Sequence, residues 1–238
     1  MPRLTTLTFV ASLTLALACG GGEVGSGEPA GPKVSMEELA AYAGAQDDLN
    51  KAISYYNSGS YEQALMHIDA AIDSGTFEQD ELADAYTRKG NILNELDRLD
   101  EAVSAHKLSL KLNDQDASTW VNLGVVYRLQ RDYTAARDCY EKAMALDPDY
   151  PELYASLGSV LLYQGDRKES LRVLDEGVKL GPDIAIMHSN RAVALAYNGR
   201  YEEAEQALQE AEALGYDNGA GVRALIAEVK AGGDPLAE

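Results

Sequence analysis

Residues 117 to 150 read ASTWVNLGVVYRLQRDYTAARDCYEKAMALDPDY, and their spacing decides the fold. Trp120, Leu123, Gly124 and Tyr127 recur at intervals of three and four, which places them on one face of a helix. Tyr133, Ala136, Tyr140 and Ala143 do the same on a second helix. Arg131-Asp132 makes the turn between the two, and Asp147-Pro148 ends the second, because proline cannot continue a helix. Gly124, Ala136 and Ala143 are small enough to let the helices approach closely, while Trp120, Tyr127, Tyr133 and Tyr140 fill the space around them.

The same pattern returns every 34 residues. Gly90, Gly124, Gly158 and Ala192 form one column, and Leu93, Tyr127, Leu161 and Leu195 another. Ala102, Ala136, Ser170 and Ala204 form a third, Ser109, Ala143, Gly177 and Ala211 a fourth, and Pro148 and Pro182 close successive units. In this the chain resembles the tetratricopeptide repeat, a helix-turn-helix unit of about 34 residues. The resemblance implies an all-α fold, a right-handed α-solenoid of stacked helix pairs. The units run 45–78, 83–116, 117–150, 151–184 and 185–218, with a capping helix over 219–231 and a frayed end over 232–238. Four extra residues, Gln79 to Leu82, are expected to lengthen the next helix by one turn. Ala52 takes the glycine place in the first unit, Arg167 the place of a turn tyrosine, and His188 that of the tryptophan.

Ahead of the repeats, residues 1–18 read MPRLTTLTFVASLTLALA. One charge, Arg3, precedes an apolar run shorter than the roughly 20 residues a membrane span needs, and this fits a secretory signal. Leu15-Ala16-Leu17-Ala18-Cys19-Gly20 resembles the lipobox of bacterial lipoproteins, with Ala16 where leucine is commonest. The resemblance implies cleavage before Cys19, acylation of that residue as the lipid attachment site, and a membrane anchor. Gly20 after it, rather than Asp, implies sorting to the outer membrane, facing the periplasm. The Gly-, Pro-, Ser- and Glu-rich stretch that completes 19–34 reads as a flexible tether, roughly 20 Å in root-mean-square span. Ser35 and Glu38 are spaced as a capping box, and Leu39, Tyr42, Leu49, Ile53 and Tyr56 continue a helical stripe from it.

The net charge is −19. Such a surface repels phosphate backbones, so nucleic acid is excluded as a partner, and it suits a basic one. The two cysteines, Cys19 and Cys139, exclude a disulfide framework and a cysteine zinc site. His67, His106 and His188 lie in three different repeats without ligand spacing, so neither metal nor cofactor is expected. The sequence carries no phosphate-cradling glycine loop and no nucleophile beside a base, and a non-enzymatic role follows.

What remains is surface. In the family the first helix of each unit lines a concave groove that holds partner segments. Carried over by position, this implies a partner-binding groove of Asn91, Asn94, Val121, Val125, Arg128, Leu129, Ser159, Leu162, Tyr163, Val193 and Tyr197. Val125, Tyr163 and Tyr197 are expected to form one apolar strip along its wall. Some family members clamp a C-terminal carboxylate of chaperones. Asn91 and Asn122 match that clamp, but Glu152 and Ser156 stand where it needs Lys and Arg, so that ligand is not expected. The sequence thus reads as a lipid-anchored scaffold of the bacterial cell envelope that binds another protein. Lipoproteins of this build include the pilotins that assemble the type IV pilus secretin. The alternatives are an accessory subunit of a periplasmic or polysaccharide-processing enzyme, or a plain secreted repeat protein.

Overall fold

The computed structural model describes residues 35–236; the signal, Cys19 and the tether lie outside the described residues. Among those described there are eleven helices and no strand. They are α1 (Met36–Asn57), α2 (Tyr61–Asp73), α3 (Gln79–Glu95), α4 (Leu99–Leu112), α5 (Ala117–Leu129), α6 (Tyr133–Leu146), α7 (Pro151–Tyr163), α8 (Arg167–Leu180), α9 (Ala185–Tyr197), α10 (Tyr201–Ala213) and α11 (Gly219–Lys230). Each packs on the next, and α9 also packs on α7 and α11, so the helix pairs stack as a solenoid.

The turns inside the units share one geometry. Gly59, Asp97, Arg131, Gly165 and Gly199 all take positive φ, between 58° and 81°. The N–H of the residue after each returns to a carbonyl five residues back: Asp132 to Tyr127, Asp166 to Leu161, Arg200 to Leu195. This arrangement satisfies the loose carbonyls at each helix end and forces the chain to reverse. Asp97 and Arg131 adopt it with a Cβ, at a cost of about 1–2 kcal/mol each relative to a right-handed backbone.

The close approach inferred from the small residues has a specific partner in every unit. The small residue of the first helix faces a large one of the second, sixteen positions on: Ala52 and Ile68, Gly90 and His106, Gly124 and Tyr140, Gly158 and Leu174, Ala192 and Leu208. All five large side chains have no exposed surface. A Cβ on Gly124 would stand 2.6 Å from the Tyr140 ring, and one on Gly158 2.5 Å from Leu174. Trp120, by contrast, is only half-buried, with the Lys142 ammonium 4.2 Å above its ring.

The tryptophan column follows a second rule. Trp120 Nε1 donates to the Asp114 carbonyl at 2.9 Å, and the Tyr154 hydroxyl to the Pro148 carbonyl at 2.9 Å. His188 Nε2 bonds the Pro182 carbonyl at 2.7 Å. Each partner lies six residues upstream, in the loop that enters the unit. A carbonyl only accepts, so His188 donates its Nε2–H to Pro182, and its Nδ1 lies 3.0 Å from the Glu210 carboxylate. Trp, Tyr and His are interchangeable here because each ends a flat apolar body with a donor.

The core is divided. One apolar cluster joins α1 to α4 and receives Val126 from α5, a small one of Leu110, Leu123 and Cys139 spans α4 to α6, and the largest runs from α6 to α11. Between them lies a polar seam. Thr87 Oγ1 sits 2.7 Å from both Ser109 Oγ and Thr119 Oγ1, all three buried. His106 lies nearby on α4, and neither of its ring nitrogens has a hydrogen-bond partner.

At the ends the structure departs from the sequence reading. Leu39 and Tyr42 of the expected stripe are 51 % and 37 % exposed, because α1 runs beyond the helices that could cover it. Tyr42 is held at its edge by a hydrogen bond to Glu81 and an edge-on contact with Phe77. At the other end the chain turns back at Gly232 (φ 92°), and residues 234–236, expected to fray, are bonded to α8 and α9.

Candidate functional site

The expected groove residues fall into two sets. On α3, Asn91 is half-buried and lines a cavity of about 160 Å³ with Ala52, Ile53, Tyr56, Asn57, Arg88 and Ile92. Asn94 is also half-buried, and its side-chain oxygen has no partner. On α5, Val121 and Val125 pack half-buried against the larger core, and Leu129 is 47 % exposed. Arg128 lies beside the Tyr140 hydroxyl and opposes the rise that burial gives that phenol.

On α7 and α9 the residues converge. Ser159, Leu162, Tyr163 and Val193 line one cavity of about 320 Å³, walled on its far side by Val222 and Leu225 of α11 and by Tyr216. Leu162 and Val193 are only 6 % and 8 % exposed, so they are core residues whose edges form the cavity floor. The expected strip of Val125, Tyr163 and Tyr197 does not form. Thirty-four residues after Val125 stands Ser159, then Val193, along the wall, whereas Tyr163 and Tyr197 end their helices beside the turns.

There the two tyrosines meet different partners. Tyr163, 42 % exposed, stacks on Tyr133 with ring centroids 4.9 Å apart. One unit later Arg167 takes the place of Tyr133, and its guanidinium lies 4.3 Å from the Tyr197 ring. The Tyr197 hydroxyl donates to the Asp234 carboxylate at 2.9 Å and accepts from the Leu236 N–H at 3.2 Å. Burial, with Asp234 beside it, pushes the Tyr197 phenol up to about 12, and the same bonds hold the Asp234 carboxyl below its ordinary range. Sequence reasoning missed Asp234, Leu236, Tyr216 and the contribution of α11. The one available signal was that α11 starts 34 residues after α9, as a further first helix.

A third cleft, of about 470 Å³, opens between α4 and α6, lined by Lys107, Lys111, Lys142, Trp120 and Tyr127. Cys139 lies at its base, 4 % exposed, and burial pushes the thiol up to about 11, so it stays protonated and unreactive at neutral pH. His67 is spent on Asp48, 2.8 Å away, and on the Tyr55 ring stacked against it.

The tetratricopeptide-repeat family models match residues 117–150 and, as a longer model, residues 49–117 and 156–219. The chain belongs to the tetratricopeptide-repeat family. Among curated relatives, human "Protein O-mannosyl-transferase TMTC1" is 32 % identical over 95 residues, covering 40 % of this chain and 11 % of that protein. The Arabidopsis thaliana "N-terminal acetyltransferase A complex auxiliary subunit NAA15" is 30 % identical over 101 residues, covering 42 % and 11 %. The chain therefore spans about a tenth of the length of these relatives. Among solved structures, YrrB, described as "a TPR protein with an unusual peptide-binding site", superposes with a TM-score of 0.63 at 22 % identity, covering 82 % of this chain and 95 % of its own. MamA from Desulfovibrio magneticus RS-1 gives 0.65 at 19 % identity, covering 71 % and 94 %. At such identities these two share the fold. Where other tetratricopeptide-repeat proteins carry the chaperone clamp, Ser156 of this one donates its hydroxyl to the Glu152 carbonyl, inside its own helix.

Proposed function

We propose that this tetratricopeptide-repeat protein is a non-catalytic adaptor that holds a segment of another protein in the groove of its first helices, while a lipid on Cys19 tethers it to the bacterial outer membrane, facing the periplasm. Tetratricopeptide-repeat proteins generally mediate protein–protein contact. The observation that carries the groove reading is the convergence of Ser159, Leu162, Tyr163 and Val193 on one open cavity whose walls mix apolar side chains with Ser189, Asn190 and Asn218. A pocket of a few hundred Å³ with a few polar groups at its rim is the usual shape of a site for a side-chain anchor. The partner class is a component of an envelope assembly, a secretin being one form it takes. The anchor rests on residues 1–34, whose apolar run, cysteine and polar tether stand in the lipoprotein order.

Two results test this. The Ser159→Trp/Tyr163→Ser variant fills the cavity and removes the exposed ring. Capture of the envelope partner is expected to fall tenfold or more, an effect of the size seen at interface anchors, with helix content by circular dichroism unchanged. Reversing Glu202 and Glu203 to Lys on α10 is the control and is expected to leave capture within about twofold, since rim charges mostly tune association rate. If the α10 variant loses capture and the cavity variant keeps it, the partner binds the other side. For the anchor, Cys19→Ala is expected to abolish labelling by a fatty-acid analogue and move the protein to the soluble fraction. No described helix is long and apolar enough to cross a membrane and retain it. An unlabelled wild type, or a Cys19→Ala protein that stays with membranes, refutes the lipid anchor.

A further inference from the structure

The chain's own C-terminal segment forms part of the wall of the cavity on α7, α9 and α11. After α11 the chain reverses at Gly232 and lays Asp234-Pro235-Leu236 across the ends of α8 and α9. Leu236 is half-buried against the larger core and lines the cavity beside Leu162, Tyr163, Val193 and Leu225. Asp234 pairs with the Arg167 guanidinium and accepts from the Tyr197 hydroxyl. That same hydroxyl accepts from the Leu236 main chain, so one side chain reads both the acid and the extended backbone two residues on.

The clamp is confined to one repeat. At the equivalent place one unit earlier, Tyr133 stands where Arg167 does and stacks on Tyr163. Arg167, the departure from the turn tyrosine, is what brings a cation to meet the Asp234 carboxylate at this end of the groove. The contact is also light. It involves three residues, and the Arg167 and Asp234 side chains are 38 % and 41 % exposed. Exposed pairs of this kind hold weakly and exchange readily. The segment stays in place because two glycines join it to α11, which keeps its local concentration high.

We propose, resting on the groove reading above, that Asp234–Leu236 is a stand-in ligand: the Arg167–Tyr197 clamp and the apolar core side chains beside it recognise a partner segment with an acidic residue followed two positions later by leucine, and that segment displaces the chain's own. The site is thereby held closed to weaker sequences, and opens to one that matches both features.

The test uses full-length protein and a fluorescein-labelled peptide, AGGDPLAE, the sequence of residues 231–238. The Asp234→Ala/Leu236→Ser protein, its own segment released, is expected to bind this peptide at least tenfold more tightly than wild type by fluorescence anisotropy. Adding Arg167→Gln, or Tyr197→Phe, which keeps the ring and removes only the hydroxyl, is expected to reverse that gain tenfold or more without change in circular dichroism. A peptide reading AGGNPSAE is expected not to bind. The proposal is overturned if the released protein binds no better than wild type, or if binding ignores both Arg167→Gln and Tyr197→Phe. It is overturned as an in-cis contact if wild type self-associates in sedimentation and the Asp234→Ala/Leu236→Ser protein does not, which would place the segment in a second copy. Partner capture that is lost with Ser159→Trp/Tyr163→Ser, together with no peptide gain, would leave the groove reading standing and this one refuted. Clamp-dependent peptide binding with partner capture indifferent to the cavity variant would do the reverse.

Discussion

His106→Leu is expected to make the protein more stable, and by more at acid than at neutral pH. His106 fills the large-residue column of the second unit, where the others have Ile68, Tyr140, Leu174 and Leu208. It has no exposed surface, and both ring nitrogens lack partners. A buried polar group without a hydrogen bond costs about 1–3 kcal/mol, which leucine removes while keeping the ring's place opposite Gly90 filled. Gly158 and Leu174 are the template for the resulting pair.

The pH dependence follows from the same burial. Desolvation lowers the His106 pKa from its ordinary 6.5 to about 4 in the folded protein. Between those values the unfolded chain binds more protons than the folded one, so stability rises with pH across this window. Above about 6.5 the histidine is neutral in both states and protonation adds nothing to its cost; as pH falls towards about 4 the cost of keeping it neutral in the folded protein grows. The gap between His106→Leu and wild type, about 1–3 kcal/mol at pH 7.5, should therefore widen by a further 2–3 kcal/mol, roughly, at pH 4.5. Urea melts of both proteins from pH 4.5 to 7.5 check this, and carboxylate titration, common to both, cancels in the difference. A gap that does not change with pH would mean that the imidazole reaches water.

Tyr140→Ala is expected to cost about 3–5 kcal/mol, the range for truncating a large buried aromatic. Tyr140 is wholly buried against Gly124 and belongs to the larger cluster, so the loss should reach the neighbouring units through their interfaces. Gly124→Ala is expected to cost about 1–3 kcal/mol through overpacking, since its Cβ would stand 2.6 Å from a ring that has no room to move. Gly124→Ala/Tyr140→Leu rebuilds the pairing of Ala192 with Leu208, both wholly buried in the fifth unit. The double variant should therefore be less destabilised than the sum of Gly124→Ala and Tyr140→Leu, with a coupling of about 1–2 kcal/mol. Strict additivity in urea denaturation would deny that the two columns are matched.

The repeat spacing was open to reading because each column serves one job in every unit. The small places at 90, 124, 158 and 192 exist to admit the large ones at 106, 140, 174 and 208, and neither can drift in register without a clash or a void. The tryptophan column looked like a place for bulk alone. Its second requirement, a donor for the loop carbonyl, emerges only when Trp120, Tyr154 and His188 are seen to make the same bond. That bond explains a histidine that composition leaves without a reason.

The groove was harder. Helical period places Leu162, Tyr163 and Val193 on first helices, but it does not say how far each neighbouring helix covers them. Leu162 and Val193 are nearly closed off while Tyr163 is 42 % exposed, a division set by how the units stack. The exposed Leu39 and Tyr42 show the same limit at the other end, where the apolar stripe continues past the last helix able to cover it.

By itself, then, the sequence determined the helix-turn-helix unit, its period of 34 residues and its growth by stacking, because contacts that repeat between near neighbours along the chain leave a periodic trace. The tertiary structure alone decided what walls the end of the groove. Arg167 and Asp234 are 67 residues apart, Tyr197 and Leu236 39, and neither separation is a multiple of the repeat. A contact made once, between a helix end and a segment outside the array, has no second instance against which it could be read. Only the superhelix, by bringing the ends of α8 and α9 to the segment that follows α11, makes those residues neighbours.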